Sequence, residues 1–290
     1  MSREAVREGP NPAAPAVVRS TSLDHGGRRS FLADVVIEHG PRDLLGRLFL
    51  QADTRLREKG VRISFATVDE LVAVNRTNAD TWRPILPLYD PAVSAIGPHN
   101  SHALLGWNAA GEIVCAHGCR LYDLGADTLK NEIESLRLFY RDPERARGPG
   151  EAMVCTAPTA ATTSGRMVFT GAVWYRPDYR KLGIMPIFST MNRAVLATRW
   201  GPEFVFSFMA ADLVRAGVAK ASRMPHAEDE IRMIRTPVYR DGILPAALVW
   251  CTSSEYNQLF AEFIGKDSSI RDAQVDRRIE NRTTDQKLAS

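Results

Sequence analysis

A basic, glycine-containing loop between a strand and a helix is the stretch of this chain best suited to bind an anion. Arg180 and Lys181 precede Gly183, and a helix-forming segment begins directly after the glycine. Where a strand turns into a helix, several main-chain N–H groups lack partners and the positive end of the helix dipole points at the same place. The two cations add positive charge, and Gly183 has no Cβ to hold an anion away from the backbone. The pattern predicts that the loop binds a phosphate-bearing cofactor.

The spacing in this loop excludes two familiar phosphate-binding motifs. The chain contains no Gly-x4-Gly-Lys-Ser/Thr sequence, which a P-loop requires, and the loop lacks the three glycines of the dinucleotide fingerprint. It has instead a Pro-x-Tyr-Arg run that ends at Arg180 and is followed by Gly183. In this order it resembles the acyl-CoA pyrophosphate loop of the GNAT (GCN5-related N-acetyltransferase) superfamily, Arg/Gln-x-x-Gly-x-Gly/Ala. The loop departs from that pattern at Met185, where the family has a small residue.

The resemblance implies a cofactor, a fold and a set of cofactor contacts. The cofactor is acetyl-CoA or another acyl-CoA, used as co-substrate, with its pyrophosphate held by loop amides and neutralised by Arg180 and Lys181. The fold is GNAT-like α/β, a mixed and mostly antiparallel central sheet flanked by helices, in which the strand before the loop splays from its neighbour to hold the pantetheine arm. For the side chains of Trp174 and Tyr175, packing in the sheet is the alternative. The predicted cofactor-binding residues are Trp174, Tyr175, Arg180, Lys181, Leu182, Gly183, Ile184 and Met185.

The order of hydrophobic patterns on both sides of the loop agrees with this fold. The patterns predict strands at residues 61–66, 102–107, 112–122, 166–175 and 203–209, and helices at 68–82, 187–199 and 212–224. Runs at 231–239 and 243–252 flank Asp241-Gly242, which predicts a hairpin turn at that dipeptide. Because proline has no N–H to donate to a neighbouring strand, we expect Pro237 and Pro245 to lie at sheet edges or bulges within these runs. The family-like core covers about residues 61–253.

The predicted domain extends beyond this core to residues 31–265, and the core itself contains an insertion. Residues 41–59 carry leucines and a phenylalanine at helical spacing before a glycine, which predicts an additional N-terminal helix. Residues 123–165 interrupt the passage from the third strand to the fourth, and we interpret them as an insertion that shapes the acceptor pocket. Residues 1–30 and 266–290 have too few large apolar residues to form an ordered structure. We therefore predict that both ends are mobile tails.

Composition limits the class of protein. The chain has 290 residues, of which 44% are hydrophobic, and a formal net charge of +3. This net positive charge is much smaller than that expected of a protein dedicated to binding nucleic acid. No apolar run approaches the roughly 20 residues of a membrane span, and the first residues lack the apolar segment of a signal peptide. We therefore expect a cytoplasmic protein with no nucleic-acid or membrane partner, and the oligomeric state, a homodimer included, stays open.

Cys115, His117 and Cys119 alternate along a predicted strand and resemble a metal site at first. Successive residues on one face of a strand are about 6.6 Å apart, too far for an extended strand to close around one ion. We therefore expect no metal, and the four scattered cysteines are expected to be reduced thiols. His117 is either a core histidine, the favoured interpretation, or a residue that faces the acceptor cleft.

Acyl transfer from a thioester to an amine needs a base for the amine and a proton for the departing thiolate. The predicted catalytic residues are Glu134, on a helix-like stretch at residues 128–140 of the insertion, and His117. For Glu134 the alternative is the solvated face of that stretch, whose apolar stripe contains Leu129 and Ile133.

The proton donor is harder to place. Many family members have a tyrosine in the helix that follows the fifth strand, whereas residues 212–224 contain none. Ser222, His226 and Tyr239 are the nearby alternatives.

The leading hypothesis from the sequence is an acyl-CoA-dependent N-acyltransferase that transfers acetyl to a small-molecule or peptide amine. The missing tyrosine and Met185 favour an alternative, a non-catalytic CoA-binding sensor or assembly module with the same fold. A third alternative takes its acyl group from another carrier, such as acyl-carrier protein, to make a signal molecule.

Overall fold

The computed structural model describes residues 29–265, which are built around one mixed sheet. In chain order the strands are β1 (Arg62–Ala66), β2 (Ser101–Trp107), β3 (Ile113–Asp123), β4 (Ala152–Cys155), β5 (Arg166–Tyr175), β6 (Phe204–Ala210), β7 (His226–Thr236) and β8 (Tyr239–Thr252). The helices are α1 (Phe31–Asp34), α2 (Arg42–Glu58), α3 (Val68–Thr77), α4 (Leu129–Glu134), α5 (Pro143–Ala146), α6 (Pro158–Thr162), α7 (Ile184–Trp200), α8 (Ala211–Arg215), α9 (Val218–Ala221) and α10 (residues 253–265).

The eight strands pair in the order β1-β2-β3-β5-β6-β8-β7-β4. Every pair of neighbours is antiparallel except β5 and β6, which are parallel. Parallel neighbours need a crossover connection, and α7 provides it. The expected architecture, a mixed and mostly antiparallel central sheet flanked by helices, is confirmed.

Helices cover both faces of the sheet. Apolar residues of α2, α7 and α10 form one hydrophobic cluster against the first face, and those of α3, α4 and α6 join a second cluster on the other. The predicted N-terminal helix is α2, whose Leu45, Leu48, Phe49 and Leu56 are at most 1% exposed. Burying each such side chain contributes about 1.5–3 kcal/mol, so this helix is an integral layer of the domain.

Local sequence determines where α3 begins and where α7 begins and ends. Thr67 and Glu70 form a reciprocal capping box at the start of α3. The longer helix α7 begins after Gly183, with φ of 71°, and ends at Gly201, with φ of 53°. Glycine adopts this left-handed conformation without strain, so the two glycines define the helix.

The structure corrects several element predictions. The helix predicted at 212–224 is two short helices, because Gly217, with φ of 78°, interrupts it. The stretch at 128–140 is helical only in α4, because Leu136 adopts φ of 62°. The hairpin turns at Pro237 rather than at Asp241-Gly242, since Thr236 pairs with Tyr239. Proline suits the first central position of a tight turn, and its fixed φ outweighs the dipeptide signal here.

The insertion contributes a strand that the sequence did not predict. β4 pairs with β7 and forms the edge of the sheet opposite β1. The helix α10 was also not predicted. The predicted mobile tails, residues 1–30 and 266–290, lie outside the described residues except for Arg29 and Ser30. Within residues 29–265, none of the helices has the length and apolar character needed to cross a membrane.

Candidate functional site

A cleft opens in the sheet between β5 and β6. These strands pair only from Met167 to Phe169 on β5. Beyond that point β5 continues to Tyr175 beside β3, while β6 continues to Ala210 beside β8. Beyond the paired residues, the main-chain edges of β5 and β6 that face each other are therefore not hydrogen-bonded to a strand. An extended ligand inserted there would gain main-chain hydrogen bonds, as an added strand does.

A bulge in β5 explains why the strands separate. The register between β3 and β5 shifts between Ala116 and Gly118, and Ala172 of β5 has a φ of 48°. Bulges bend the strand that contains them and often re-aim it beside functional sites. Just after this bend Val173 is 41% exposed. The bent, exposed part of β5 forms one wall of the cleft.

The loop that joins β5 to α7 presents unpartnered main-chain donors. Lys181 and Gly183 both have positive φ, 64° and 71°, in an otherwise right-handed or extended backbone. In the described part of the chain, the N–H groups of Lys181, Leu182 and Gly183 have no main-chain acceptor. The first-turn amides that follow lack intrahelical partners by helix geometry, although Pro186 supplies none. Together these donors point from the positive end of α7, an arrangement of the kind that can bind an anion.

Three side-chain cations lie near this loop. Arg180 and Lys181 belong to the loop itself, and the third was not predicted from the sequence. Arg180 donates from Nε to the Tyr175 carbonyl at 3.0 Å and from Nη2 to the Thr81 carbonyl at 3.3 Å, which holds its guanidinium beside the loop. Lys181 is exposed. Lys59, at the end of α2, has its Nζ 3.6 Å from the position that a Cβ on Gly183 would take. Only the packing of α2 beside α7 reveals this lysine.

The departure from the family pattern at Met185 does not fill the loop. The Met185 side chain is partly buried and packs against the cluster beneath α7. Leu182 is the exposed apolar side chain of the loop, at 46%. The space next to Gly183 is therefore open apart from Lys59.

Trp174 and Tyr175 have packing roles on opposite faces of the sheet. Trp174 stacks on Trp82, with ring centroids 5.4 Å apart and planes at 11°. Tyr175 makes an edge contact with Phe188 of α7 at 6.4 Å. Both are buried, at 3% and 8% exposed. Their side chains are thus part of the two cores, and Tyr175 serves the loop through its carbonyl.

The insertion packs against the free half of β6. Phe139 stacks on Phe208 with ring centroids 6.0 Å apart and planes at 28°. Phe208 lies beyond the last residue of β6 that pairs with β5. The insertion therefore lines the cleft on the face of the sheet opposite α7.

Glu134 is occupied by hydrogen bonds that join the insertion to β4. Its Oε1 accepts from Lys130 Nζ at 2.6 Å and from the Cys155 N–H at 3.0 Å. Partial burial acts to raise the pKa of Glu134, but the bonds from Lys130 and Cys155 outweigh it, so the pKa lies below the usual value. A base role for this residue stays a prediction, and the low pKa makes it a weak base.

His117 lies in the core, the position that the sequence favoured. It is 5% exposed, and its Nε2 lies 3.3 Å from Asn192 Nδ2. Burial, helped by the charge of Arg193, lowers the pKa of His117 to about 3. The ring is therefore neutral at physiological pH, and its predicted catalytic role is untested.

The three alternative proton donors lie in different places. Ser222 Oγ donates to the Val218 carbonyl at 2.8 Å within α9. His226 stacks on Trp250 and lies 2.5 Å from Glu255, beside the paired half of β6. Tyr239 is 41% exposed at the tip of the β7–β8 hairpin, at the end of the sheet where the cleft opens. Tyr239 is thus the one of the three on the cleft side.

The cysteines of the described residues are free and buried. Cys119 Sγ lies 3.0 Å from Asn192 Nδ2, next to His117. In the part of the chain that the structure describes, no group of three or more His, Cys, Asp or Glu side chains is arranged to hold a metal ion.

No family model and no curated protein sequence matches this chain significantly. Solved structures match it in shape at low sequence identity. The complex of Arabidopsis thaliana NAA60 with acetyl-CoA is 13% identical with a TM-score of 0.37, and the match covers 66% of this chain and 98% of that chain. A dodecameric spermidine N-acetyltransferase from Vibrio cholerae is 8% identical with a TM-score of 0.39, covering 68% and 96%. FeeM, an N-acyl amino acid synthase from uncultured soil microbes, is 9% identical with a TM-score of 0.37, covering 68% and 93%.

Proposed function

We propose that this protein is an acyl-CoA-dependent N-acyltransferase. The observation that carries the proposal is the continuity of two features: the loop of unpartnered amides at the start of α7, and the cleft between β5 and β6 that leads from it. The loop suits a diphosphate, and the cleft suits a long, extended arm with amide groups. A CoA thioester has both parts.

Charge around the loop supports a diphosphate in particular. Lys59 lies beside Gly183, and Arg180 and Lys181 belong to the same loop; no carboxylate within the described residues is paired with any of the three. Arg176, the other nearby cation, is neutralised by Glu112 and Asp178. At about 4 Å, each free cation attracts a phosphate charge by roughly 1 kcal/mol in water and up to 4 kcal/mol at an effective dielectric constant of 20. Such attractions supply part of the roughly 8 kcal/mol of a micromolar complex, and hydrogen bonds from the amides add to them.

The dimensions of the cleft suit the arm. β5 extends six residues beyond Phe169, the last that pairs with β6. Six strand residues span about 20 Å. In the proposed complex, main-chain N–H groups along this edge, near the bend at Ala172, polarise the thioester carbonyl. The amine acceptor then approaches from the side of the insertion, where Phe139 covers Phe208.

The base and the acid are the open parts of this mechanism. Glu134 and His117 are proposed as residues to test for proton removal from the amine, and Tyr239 for proton delivery to the thiolate. The absence of a tyrosine in residues 212–224 favours a second candidate function, a sensor or assembly module that binds CoA without turnover.

The proposal is tested by isothermal titration with acetyl-CoA and with CoA, followed by an assay of thiol release. Acetyl-CoA is the first donor to use, because it is the cofactor that the resemblance of the loop implies. The acceptor panel comprises spermidine, a short peptide with a free amino terminus and several simple primary amines. We expect a dissociation constant in the micromolar range, on the order of 1–100 μM, and turnover with at least one acceptor.

The other outcomes discriminate among the alternatives. Binding without turnover on any acceptor supports the sensor. Turnover only with an acyl-carrier protein thioester supports the third alternative, and no binding of any CoA species contradicts the proposal. For the base, Glu134→Gln is compared with Glu132→Gln on the same helix. A catalytic Glu134 loses about 100-fold or more in kcat at unchanged KM, whereas a purely structural one loses stability instead.

A further inference from the structure

Aromatic rings close the deep end of the cleft, where β5 and β6 begin to separate. The last paired residues are Phe169 of β5 and Phe206 of β6, whose ring centroids lie 5.3 Å apart. Phe208 follows on the part of β6 that no longer pairs with β5. Its ring centroid is nevertheless 5.5 Å from that of Phe169. The rings of Phe169 and Phe208, which we call the ring barrier, therefore span the gap between the strands just beyond their last pair.

The ring of Phe169 extends along β5 towards the open part of the cleft. Residues two apart on a strand share one face, so Gly171 lies on the same face as Phe169. A Cβ on Gly171 would stand 2.6 Å from Cε1 of Phe169, which is closer than two carbon atoms approach without a bond. The ring thus occupies the space that a side chain at Gly171 would take. The barrier therefore reaches almost to the bend at Ala172.

Neighbouring side chains hold the barrier in place. Phe169 is 1% exposed and also contacts the ring of Tyr89, with centroids 6.1 Å apart. Phe208 is stacked on Phe139 of the insertion. It is half-buried, so it retains surface that a ligand can contact. Displacing either ring disturbs several packed neighbours, and protein cores resist such changes of shape.

The opposite face of the sheet is covered by α7 at the same level. Val168 and Val205 pair one residue before the barrier, and both belong to the cluster that α7 completes. Nearer the loop, Tyr175 packs against Phe188 of α7. A chain that turned to this face would meet packed side chains.

The position of the loop sets the direction of the acyl group. In the proposed complex the diphosphate lies at the loop beyond Tyr175, and the arm runs along β5 towards the bend at Ala172. The acyl group then continues towards Gly171, where the barrier stands one residue further, about 3.3 Å along the strand. That space suits acetyl or propionyl and is too short for a longer chain.

We propose that Phe169 and Phe208 restrict the acyl donor to acetyl-CoA or propionyl-CoA. This inference rests on the acyltransferase function proposed above and specifies its donor.

Calorimetric titration of the full chain with acetyl-CoA, propionyl-CoA, hexanoyl-CoA and CoA tests the restriction without a known acceptor. We expect hexanoyl-CoA to bind about tenfold or more weakly than acetyl-CoA, because its additional methylene groups overpack the space before the barrier. Propionyl-CoA is expected to stay within about threefold of acetyl-CoA.

Two phenylalanines on one face of β6 provide a variant and its matched control. Phe208→Ala removes one ring of the barrier, and we expect it to bind hexanoyl-CoA about as tightly as acetyl-CoA. Phe204→Ala removes the same side chain where β6 still pairs with β5, and it is expected to keep the preference for acetyl-CoA. If Phe208→Ala fails to fold, Phe208→Leu retains more of the apolar volume and is expected to reduce the preference in part.

The outcomes separate this inference from the proposed function. No binding of any CoA species contradicts the acyltransferase, and the restriction with it. If acetyl-CoA binds but hexanoyl-CoA binds equally well or more tightly to the original protein, only the restriction is wrong. A folded Phe208 variant that keeps the full preference, or a Phe204 variant that loses it equally, overturns the assignment to the barrier.

Discussion

Two buried neutral histidines make the stability of this protein unusually sensitive to mild acid. Burial lowers the pKa of both His102 and His117 from 6.5 to about 3. As the pH falls through about 6.5, both imidazole rings therefore become protonated in the unfolded chain. In the native state they stay neutral until about pH 3. A folded pKa below the unfolded one means that stability is complete above pH 6.5 and is lost as the pH falls towards 3.

The size of the loss at pH 5 follows from the shift. At 1.36 kcal/mol per unit and 1.5 units below the unfolded pKa, each ring costs about 2 kcal/mol at pH 5, and the two cost about 4 kcal/mol. The sum is a large share of the roughly 5–15 kcal/mol that stabilises a typical domain.

Urea unfolding followed by circular dichroism at pH 7.5 and pH 5.0 measures the effect. For each protein the quantity of interest is the difference in the free energy of unfolding between the two pH values. We expect His102→Gln and His117→Gln each to reduce that difference by about 2 kcal/mol, and the double variant by about 4 kcal/mol. His39→Gln, at an exposed side chain, is the control and leaves the difference unchanged. If the double variant kept the pH dependence of the original protein, the histidines would not be buried in neutral form.

Two further predictions concern the loop and the sheet. Lys59→Ala lowers the affinity for CoA about three- to tenfold and weakens its salt dependence, because it removes one cation beside the diphosphate; calorimetry at two salt concentrations measures both, and unchanged affinity would remove Lys59 from the site. Gly106→Ala destabilises the fold by about 1–3 kcal/mol, because the new methyl group overlaps Cys115 Sγ and lies 2.8 Å from Val61 Cγ1. Gly46→Ala, at a helical position with open space, is the control and stabilises by about 0.5–1 kcal/mol in the same urea titration. A Gly106→Ala protein as stable as the original would contradict the packing of β1 on β2 and β3.

Elements with strong local patterns were predictable, and those that depend on tertiary contacts were not. The strand β5 was predicted with its observed bounds, because ten residues of apolar pattern end at a proline-containing turn. The prediction of one helix at 212–224 was wrong, because the helical pattern of apolar residues continues through Gly217. Only the left-handed backbone at Gly217 shows the break. The edge strand β4 is four residues long, too short for its pattern to stand out.

The candidate site divides in the same way. The loop residues lie close together in the chain, so Arg180, Lys181 and Gly183 could be predicted as site residues from the sequence alone. Lys59 comes from a distant helix and has no motif around it; its place beside Gly183 follows from the packing of α2 on α7. Of the two bonds that occupy Glu134, the one from Lys130 is a local i,i+4 pair within α4, whereas the one from the Cys155 N–H comes from β4 and could not be predicted.

The proposed anion site at Gly183 can be tested with two variants whose side chains have nearly the same size and shape but differ by one charge. Gly183→Asp and Gly183→Asn place side chains of equal size at the same left-handed backbone position, which both residues tolerate better than most. The two variants should therefore have similar melting temperatures. The added carboxylate repels a diphosphate at about 5 Å and also engages Lys59.

Titration of CoA into the original protein and these two variants is the decisive measurement. Repulsion of about 2–4 kcal/mol corresponds to a loss of roughly 100-fold or more. We predict that Gly183→Asp loses binding by that factor relative to Gly183→Asn, which itself stays within about tenfold of the original. Equal affinities of the two variants would show that no diphosphate is held by the amides at the start of α7.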